Sequence, residues 1–269
     1  MPKLLSPDQV AHYHEKGYLS PLTAFDTAAA RSYLGKLEEL EAQVGRKFAE
    51  NDEAKKMHLY LKWVDDIVHS PAVLDAVEDV IGPDIRLYNL RCWIKEPQTH
   101  SFISWHQDSL NFGLSPHEHV TAWIALSDSD LESGAVQVIP GSQKRGMLRH
   151  RPTPGTENML SRGQEIEVGE NEPTDMMVLK AGQFSLHHTN LVHSSMSNNS
   201  SHRRIGLGVS FIPAHVKCGS RTRLSAMLVR GTDRYGYYED EPRPAYDLEP
   251  AAVARLCVVR SFGTDGVIN

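Results

Sequence analysis

Between residues 85 and 212 the chain breaks into seven short apolar segments: 85–94, 103–108, 120–126, 135–139, 176–179, 184–187 and 205–212. Turn-forming residues separate them, among them Glu96-Pro97, Ser115-Pro116, Ser133-Gly134, Pro140-Gly141 and Ala181-Gly182. Segments of this length with such boundaries read as strands. Many short strands in succession bury their apolar faces only by closing into a sandwich or barrel. The expected core, over residues 83–215, is therefore a double-stranded β-helix, a jelly roll of the cupin-like kind.

The preceding 82 residues have a different texture. Ser6-Pro7-Asp8 combines a capping serine, a proline at the first helical position and an acid in the first turn, and Gly17 offers a stop. Residues 26–44 place Leu34, Leu37, Leu40 and Val44 at helical spacing before Gly45. Ser70-Pro71 opens a third helix with Val73, Leu74, Val77, Val80 and Ile81 on one face and Gly82 as its end. The chain is thus expected to be mainly β with flanking helices, forming a single domain over residues 1–269. Its parts are a mainly helical 1–82, the jelly-roll core and a C-terminal extension, 216–269. Residues 142–174 form a polar insertion, read either as a closing lid or as a surface excursion. Residues 221–246 read as irregular, and a short helix is expected near 250–259.

A net charge of −6 gives no reason to expect nucleic acid or an anionic membrane as partner. No apolar run approaches the ~18 residues that span a bilayer, and the N-terminus lacks the apolar core of a signal peptide. Cys92, Cys218 and Cys257 are odd in number and far apart, which suggests neither a disulfide framework nor a thiolate metal site. The expected setting is cytoplasmic, with no membrane and no nucleic acid.

Within the second apolar segment stands Ser104-Trp105-His106-Gln107-Asp108. Side chains alternate along a strand, so His106 and Asp108 would share a face. An imidazole and a carboxylate, joined by a second imidazole, form the facial triad of non-haem Fe(II) oxygenases. His187, His188 and His193 are the candidates for that second imidazole. The last segment is two-faced: Ile205, Leu207, Val209 and Phe211 are apolar, whereas Arg204, Gly206, Gly208 and Ser210 alternate with them. The small residues suggest empty volume above the sheet. An arginine at its edge suits a carboxylate, and a small dicarboxylate such as 2-oxoglutarate fits.

Five stretches in order resemble the phytanoyl-CoA dioxygenase family of Fe(II)/2-oxoglutarate oxygenases. They are Ile94-Lys95-Glu96-Pro97, Trp105-His106-Gln107-Asp108, Thr121-Ala122-Trp123-Ile124-Ala125-Leu126, Val138-Ile139-Pro140-Gly141-Ser142 and Leu191-Val192-His193-Ser194-Ser195 with 198–204. The resemblance implies that His106, Asp108 and His193 hold the iron, and that Arg204, eleven residues after the distal histidine, anchors 2-oxoglutarate. Gln107, Trp123 and Ser195 match positions lining the 2-oxoglutarate pocket. Ser194 departs from the glycine common after that histidine. The halogenating relatives have a small residue in place of Asp108, so its presence here implies oxygen insertion.

The implied function is hydroxylation of an unactivated C–H bond in a small soluble metabolite, consuming O2 and releasing succinate and CO2. An anionic or amino-acid-like substrate such as an aminophosphonate is one option, with Arg221, Arg223, Arg230 and Arg234 as candidate contacts or as solvated surface. The rival is a non-oxygenase jelly-roll metal-binding protein. His58, His117, His119, His150, His187 and His188 are expected to be surface or packing residues.

Overall fold

The computed structural model describes residues 3–49, 54–153, 157–160, 164–220 and 222–262, without the side chains of 257–262. Helix α1 (Pro7–Lys16) begins on a reciprocal cap in which Ser6 Oγ accepts from the Gln9 amide and Gln9 Oε1 accepts from the Ser6 amide. It ends at Gly17, whose φ of +83° suits glycine. Asp26 caps α2 (Thr27–Val44). Next come α3 (Lys62–Val68) and α4 (Pro71–Ile81). The sequence reading missed α3, a seven-residue helix in which Trp63, Val64, Asp65, Ile67 and Val68 are buried and only Lys62 and Asp66 mark an outer face.

The main sheet holds, in spatial order, β1 (Tyr18–Thr23), β10 (Gln183–His188), β5 (Val120–Ala125), β12 (Arg204–Pro213), β2 (Ile85–Lys95), β14 (Ser225–Arg230) and β15 (Glu239–Asp240). A smaller sheet holds β3 (Ile103–His106), β11 (His193–Ser195), β6 (Val136–Val138) and β9 (Asp175–Met177). Two short pairs complete the set: β4 (Leu114–Ser115) with β13 (Lys217–Cys218), and β7 (Arg151–Pro152) with β8 (Gln164–Glu165).

Three strands lie where helix or irregular chain was expected. β1 interrupts the helical N-terminal part; Pro21 hides it from a propensity reading and fits its place at a sheet edge. β14 and β15 come from the stretch read as irregular and extend the opposite edge. The expected C-terminal helix is present as α6 (Pro250–Phe262).

The apolar face of β12 decides which way the sheet looks. Ile205, Leu207, Val209 and Phe211 pack with Phe184 and Leu186 of β10 against the helices, through Leu37, Val64, Ile67, Val73 and Val77. Each such burial contributes roughly 1.5–3 kcal/mol, and a one-residue slip would expose the whole row. Arg204, Gly206, Gly208 and Ser210 must then face the smaller sheet. Trp123, Val136, Val138, Met177, Leu179 and Leu191, with Trp93, fill part of the gap between the sheets.

Three described residues of the 142–174 insertion bond to the chain at β3. The Met159 amide donates to Phe102 O at 2.8 Å, the Ile166 amide to Trp105 O at 2.7 Å, and Ser104 Oγ to Gln164 O at 2.6 Å. Residues 154–156 and 161–163 of the insertion lie outside the described residues. Among the described residues no helix is long and apolar enough to cross a membrane.

Candidate active site

His106 is the last residue of β3, and His193, the first of β11, sits directly opposite it in the antiparallel ladder. Their ring centroids are 4.1 Å apart. Asp108 does not continue the strand as the alternation argument supposed. Its backbone is helical (φ −60°, ψ −34°) and it heads the short helix α5 (Ser109–Phe112), with its carbonyl accepting from the Asn111 amide. The turn, rather than strand alternation, swings the carboxylate beside the imidazoles. His106 Nε2 lies 3.5 Å and His193 Nε2 3.7 Å from Asp108 Oδ1. One ligand atom from each of the three residues falls within 4.8 Å of the others.

Both imidazoles are oriented alike. His106 Nδ1 donates to Ser104 O and His193 Nδ1 to Leu191 O, each at 2.9 Å. A carbonyl accepts only from an N–H, so each Nδ1 is the donor and each Nε2 is the nitrogen turned toward Asp108, as a metal-ligating ring requires. Burial disfavours a charged Asp108, but His193, His106 and His187 outweigh it and hold the carboxyl well below its usual range. Burial, then the nearby His106, holds His193 well below the usual imidazole value. The site is thus an ionised carboxylate between two imidazoles, a donor set that fits Fe(II).

Arg204 is fully buried, yet its Nη1 and Nη2 have no hydrogen-bond partner. Its Nε reaches Ser129 Oγ at 3.5 Å, and its guanidinium stacks 4.5 Å over the Trp123 ring. Burial draws its pKa down to about 9, which leaves it charged at neutral pH. Arg203, one residue earlier, turns the other way and pairs with Glu41 and Glu96. A buried cation whose terminal donors point at nothing calls for an anion, and two parallel N–H groups match a carboxylate.

The volume above the glycines is not empty as expected. A Cβ on Gly206 would meet Trp123 Cζ2 at 2.1 Å, and one on Gly208 would meet Trp93 Nε1 at 2.7 Å. The glycines admit two indoles, which help wall a cavity between the sheets. Its lining includes His106, Asp108, Thr121, Trp123, His187, His193, Ser195 and Arg204, so triad and arginine share one space.

Ser195 Oγ donates to Gly134 O at 2.7 Å and accepts from Lys95 Nζ at 2.6 Å. Lys95 stands opposite Arg204 in the ladder and also donates to Ser195 O and Met196 O. Gln107 is not brought to the cavity. Its Nε2 donates to Gly146 O and Asn190 O, and its Oε1 accepts from the Leu148 amide, so it straps the start of the insertion.

Sequence reasoning passed over His187. It lines the cavity with Nε2 3.6 Å from Asp108 Oδ2, rather than packing or facing solvent. The signal was present: Phe184 and Leu186 face the helices, so Ser185 and His187 must face inward. His119 is also buried, with both ring nitrogens unpartnered, and burial lowers its pKa to about 3. Of the C-terminal arginines, Arg230 pairs with Asp75 and Glu78, and Arg223 with Glu239. Neither they nor Arg234 line the cavity; Arg221 lies outside the described residues.

Residues 3–206 match the profile of the family described as phytanoyl-CoA dioxygenase (PhyH). A protein named probable alpha-ketoglutarate-dependent hypophosphite dioxygenase, from Stutzerimonas stutzeri, is 24% identical over 246 residues, 83% of this chain and 86% of that one. The solved structure "non-heme monooxygenase; ThoJ apo" superposes with a TM-score of 0.83 at 30% identity, covering 95% of this chain and 96% of that one. CytC3 with Fe(II) and alpha-ketoglutarate gives 0.67 at 19% identity over 91% and 97%, a likeness of fold.

Proposed function

The chain belongs to the phytanoyl-CoA dioxygenase family, and on that premise we propose that it is an Fe(II)- and 2-oxoglutarate-dependent dioxygenase that hydroxylates an unactivated C–H bond of a small molecule. The observation that carries this reading is Arg204: a buried guanidinium with two unpartnered nitrogens, opening on the same cavity as His106, Asp108 and His193. A jelly-roll protein that only bound a metal would have no use for that cation.

His106, Asp108 and His193 hold the iron. Bound together with 2-oxoglutarate, that metal activates O2 for C–H oxidation, with succinate and CO2 as co-products. Arg204 pairs with the far carboxylate of the cosubstrate, and Trp123 fixes the guanidinium plane from below. Ser195 lines the same pocket, held in place by Lys95. Trp93 and Trp123 exclude water from the space between the sheets. The two facing sheets form a double-stranded β-helix, and Met159, Gln164 and Ile166 tie the 142–174 segment to the chain around β3.

The substrate is small and enters the cavity that the triad and Arg204 share. Arg223 and Arg230 lend no support to an anionic substrate, since they are paired with carboxylates elsewhere. The direct test is succinate release with Fe(II), 2-oxoglutarate and O2 across a panel of small molecules, anionic, aminophosphonate and amino-acid-like ones included. At least one compound should raise succinate well above the uncoupled rate and gain one oxygen. Iron and 2-oxoglutarate binding without any succinate release would contradict the proposal.

A further inference from the structure

We infer that His187 is a positioning residue of the metal centre, one that holds the Asp108 oxygen facing away from the metal. The two oxygens of Asp108 have different neighbours. Oδ1 faces His106 Nε2 and His193 Nε2. Oδ2 accepts from Thr121 Oγ1 at 2.9 Å and has His187 Nε2 at 3.6 Å. Thr121 and His187 are directly opposite each other on the neighbouring strands β5 and β10. Side chains from one cross-strand pair therefore meet one carboxylate oxygen.

Besides Asp108, the His187 ring meets only the ring of His193, 4.6 Å away between centroids, among the ring and polar contacts of the described residues. It is 2% exposed, and neither ring nitrogen has a hydrogen-bond partner. A buried imidazole left in that state needs a partner, and the oxygen in front of it is an acceptor whose charge is retained. The 3.6 Å gap closes to a charge-assisted hydrogen bond with a small rotation of the carboxylate. His187 is not a fourth ligand: His106 and His193 crowd the other oxygen, and its Nε2 faces the oxygen they leave free. Two donors on Oδ2 keep that oxygen from swinging round to chelate the metal, so Asp108 binds through Oδ1 alone.

This inference rests on the triad reading, and the test separates the two. Co(II) binding is measured on metal-free protein by its visible d–d absorption, together with melting of the metal-free forms. His187→Phe keeps the ring but has no donor, and His187→Asn keeps an amide too short to reach Oδ2. His187→Gln places an N–H near the position of Nε2. Loss of a group that orients a ligand weakens metal affinity by about 10- to 100-fold. The Phe and Asn variants should show that loss and an altered Co(II) spectrum, while Gln restores both affinity and spectrum. Metal-free melting should be alike in the variants that fold. If wild type binds Co(II) and all three variants match it, or if Gln falls with Phe and Asn, the role of His187 is refuted while the triad stands. If wild type binds no Co(II), the triad itself fails.

Discussion

The guanidinium of Arg204 lies 4.5 Å over the ring of Trp123, with both terminal nitrogens unpartnered in a fully buried setting. Packing against the indole fixes its plane, and the cavity receives its charge. A hydrogen bond to a charged group is worth about 1.5–3 kcal/mol, so Arg204→Ala should weaken 2-oxoglutarate binding by about 100-fold or more. Metal affinity should stay near wild type. Calorimetric titration of each ligand checks this, and unchanged 2-oxoglutarate affinity would remove Arg204 from the site. Arg204→Met should stabilise the ligand-free protein, because replacing an unpaired buried charge by an apolar chain relieves its desolvation cost.

Gly206 supports the same pair from below. An added methyl would overlap the Trp123 ring, and overpacking of this kind costs ~1–3 kcal/mol. Gly206→Ala should lower the melting temperature and also weaken 2-oxoglutarate binding, since the displaced indole carries Arg204 with it. Thermal melting read beside ligand titration tests both halves. A stable variant with normal cosubstrate affinity would contradict the packing account.

Lys95 makes the protein's stability depend on pH. Three acceptors surround its Nζ, but burial first, and then the Arg204 charge, draw its pKa from 10.5 to about 6. Between those values the unfolded chain holds a proton that the folded chain lacks. Stability from this group therefore rises with pH from about 6 towards 10.5, by at most ~1.4 kcal/mol per unit. Below 6 both states are protonated and the cost of burying the charge is felt in full. Lys95→Met should flatten the slope in urea unfolding between pH 6 and 9; an unchanged slope would contradict this. A bound dianion beside Arg204 should raise the Lys95 pKa, so 2-oxoglutarate binding should take up protons near neutral pH.

Metal binding should couple to folding through the triad. A ligand that binds only the native state at 100 times its dissociation constant adds about 2.7 kcal/mol. Wild type should gain that order of stability from a divalent transition metal and lose it to a chelator. His193→Ala and Asp108→Ala should gain far less. Equal stabilisation of all three forms would place the metal elsewhere.

The strand run and the helix caps were legible because hydrophobic period and turn chemistry are local. Arg204 was legible because β12 is so plainly two-faced that one row had to turn inward. His106 and Asp108 were correctly paired for an incomplete reason, since a turn at Asp108 does what alternation was credited with. β1 was concealed by Pro21, and α3 by its shortness and its largely buried surface. His187 was hidden by its neighbour: two adjacent histidines look alike until Phe184 and Leu186 fix which face is inner. The pairing of Gly206 with Trp123 depends on strand register, which no single segment contains.

The most direct test of the central claim is an anaerobic optical titration with Fe(II) and 2-oxoglutarate together. The account predicts a weak visible charge-transfer absorption that saturates at one 2-oxoglutarate per chain. It should be absent in His193→Ala and shifted to much higher 2-oxoglutarate concentration in Arg204→Ala. No such absorption in wild type, or one indifferent to both substitutions, would contradict it.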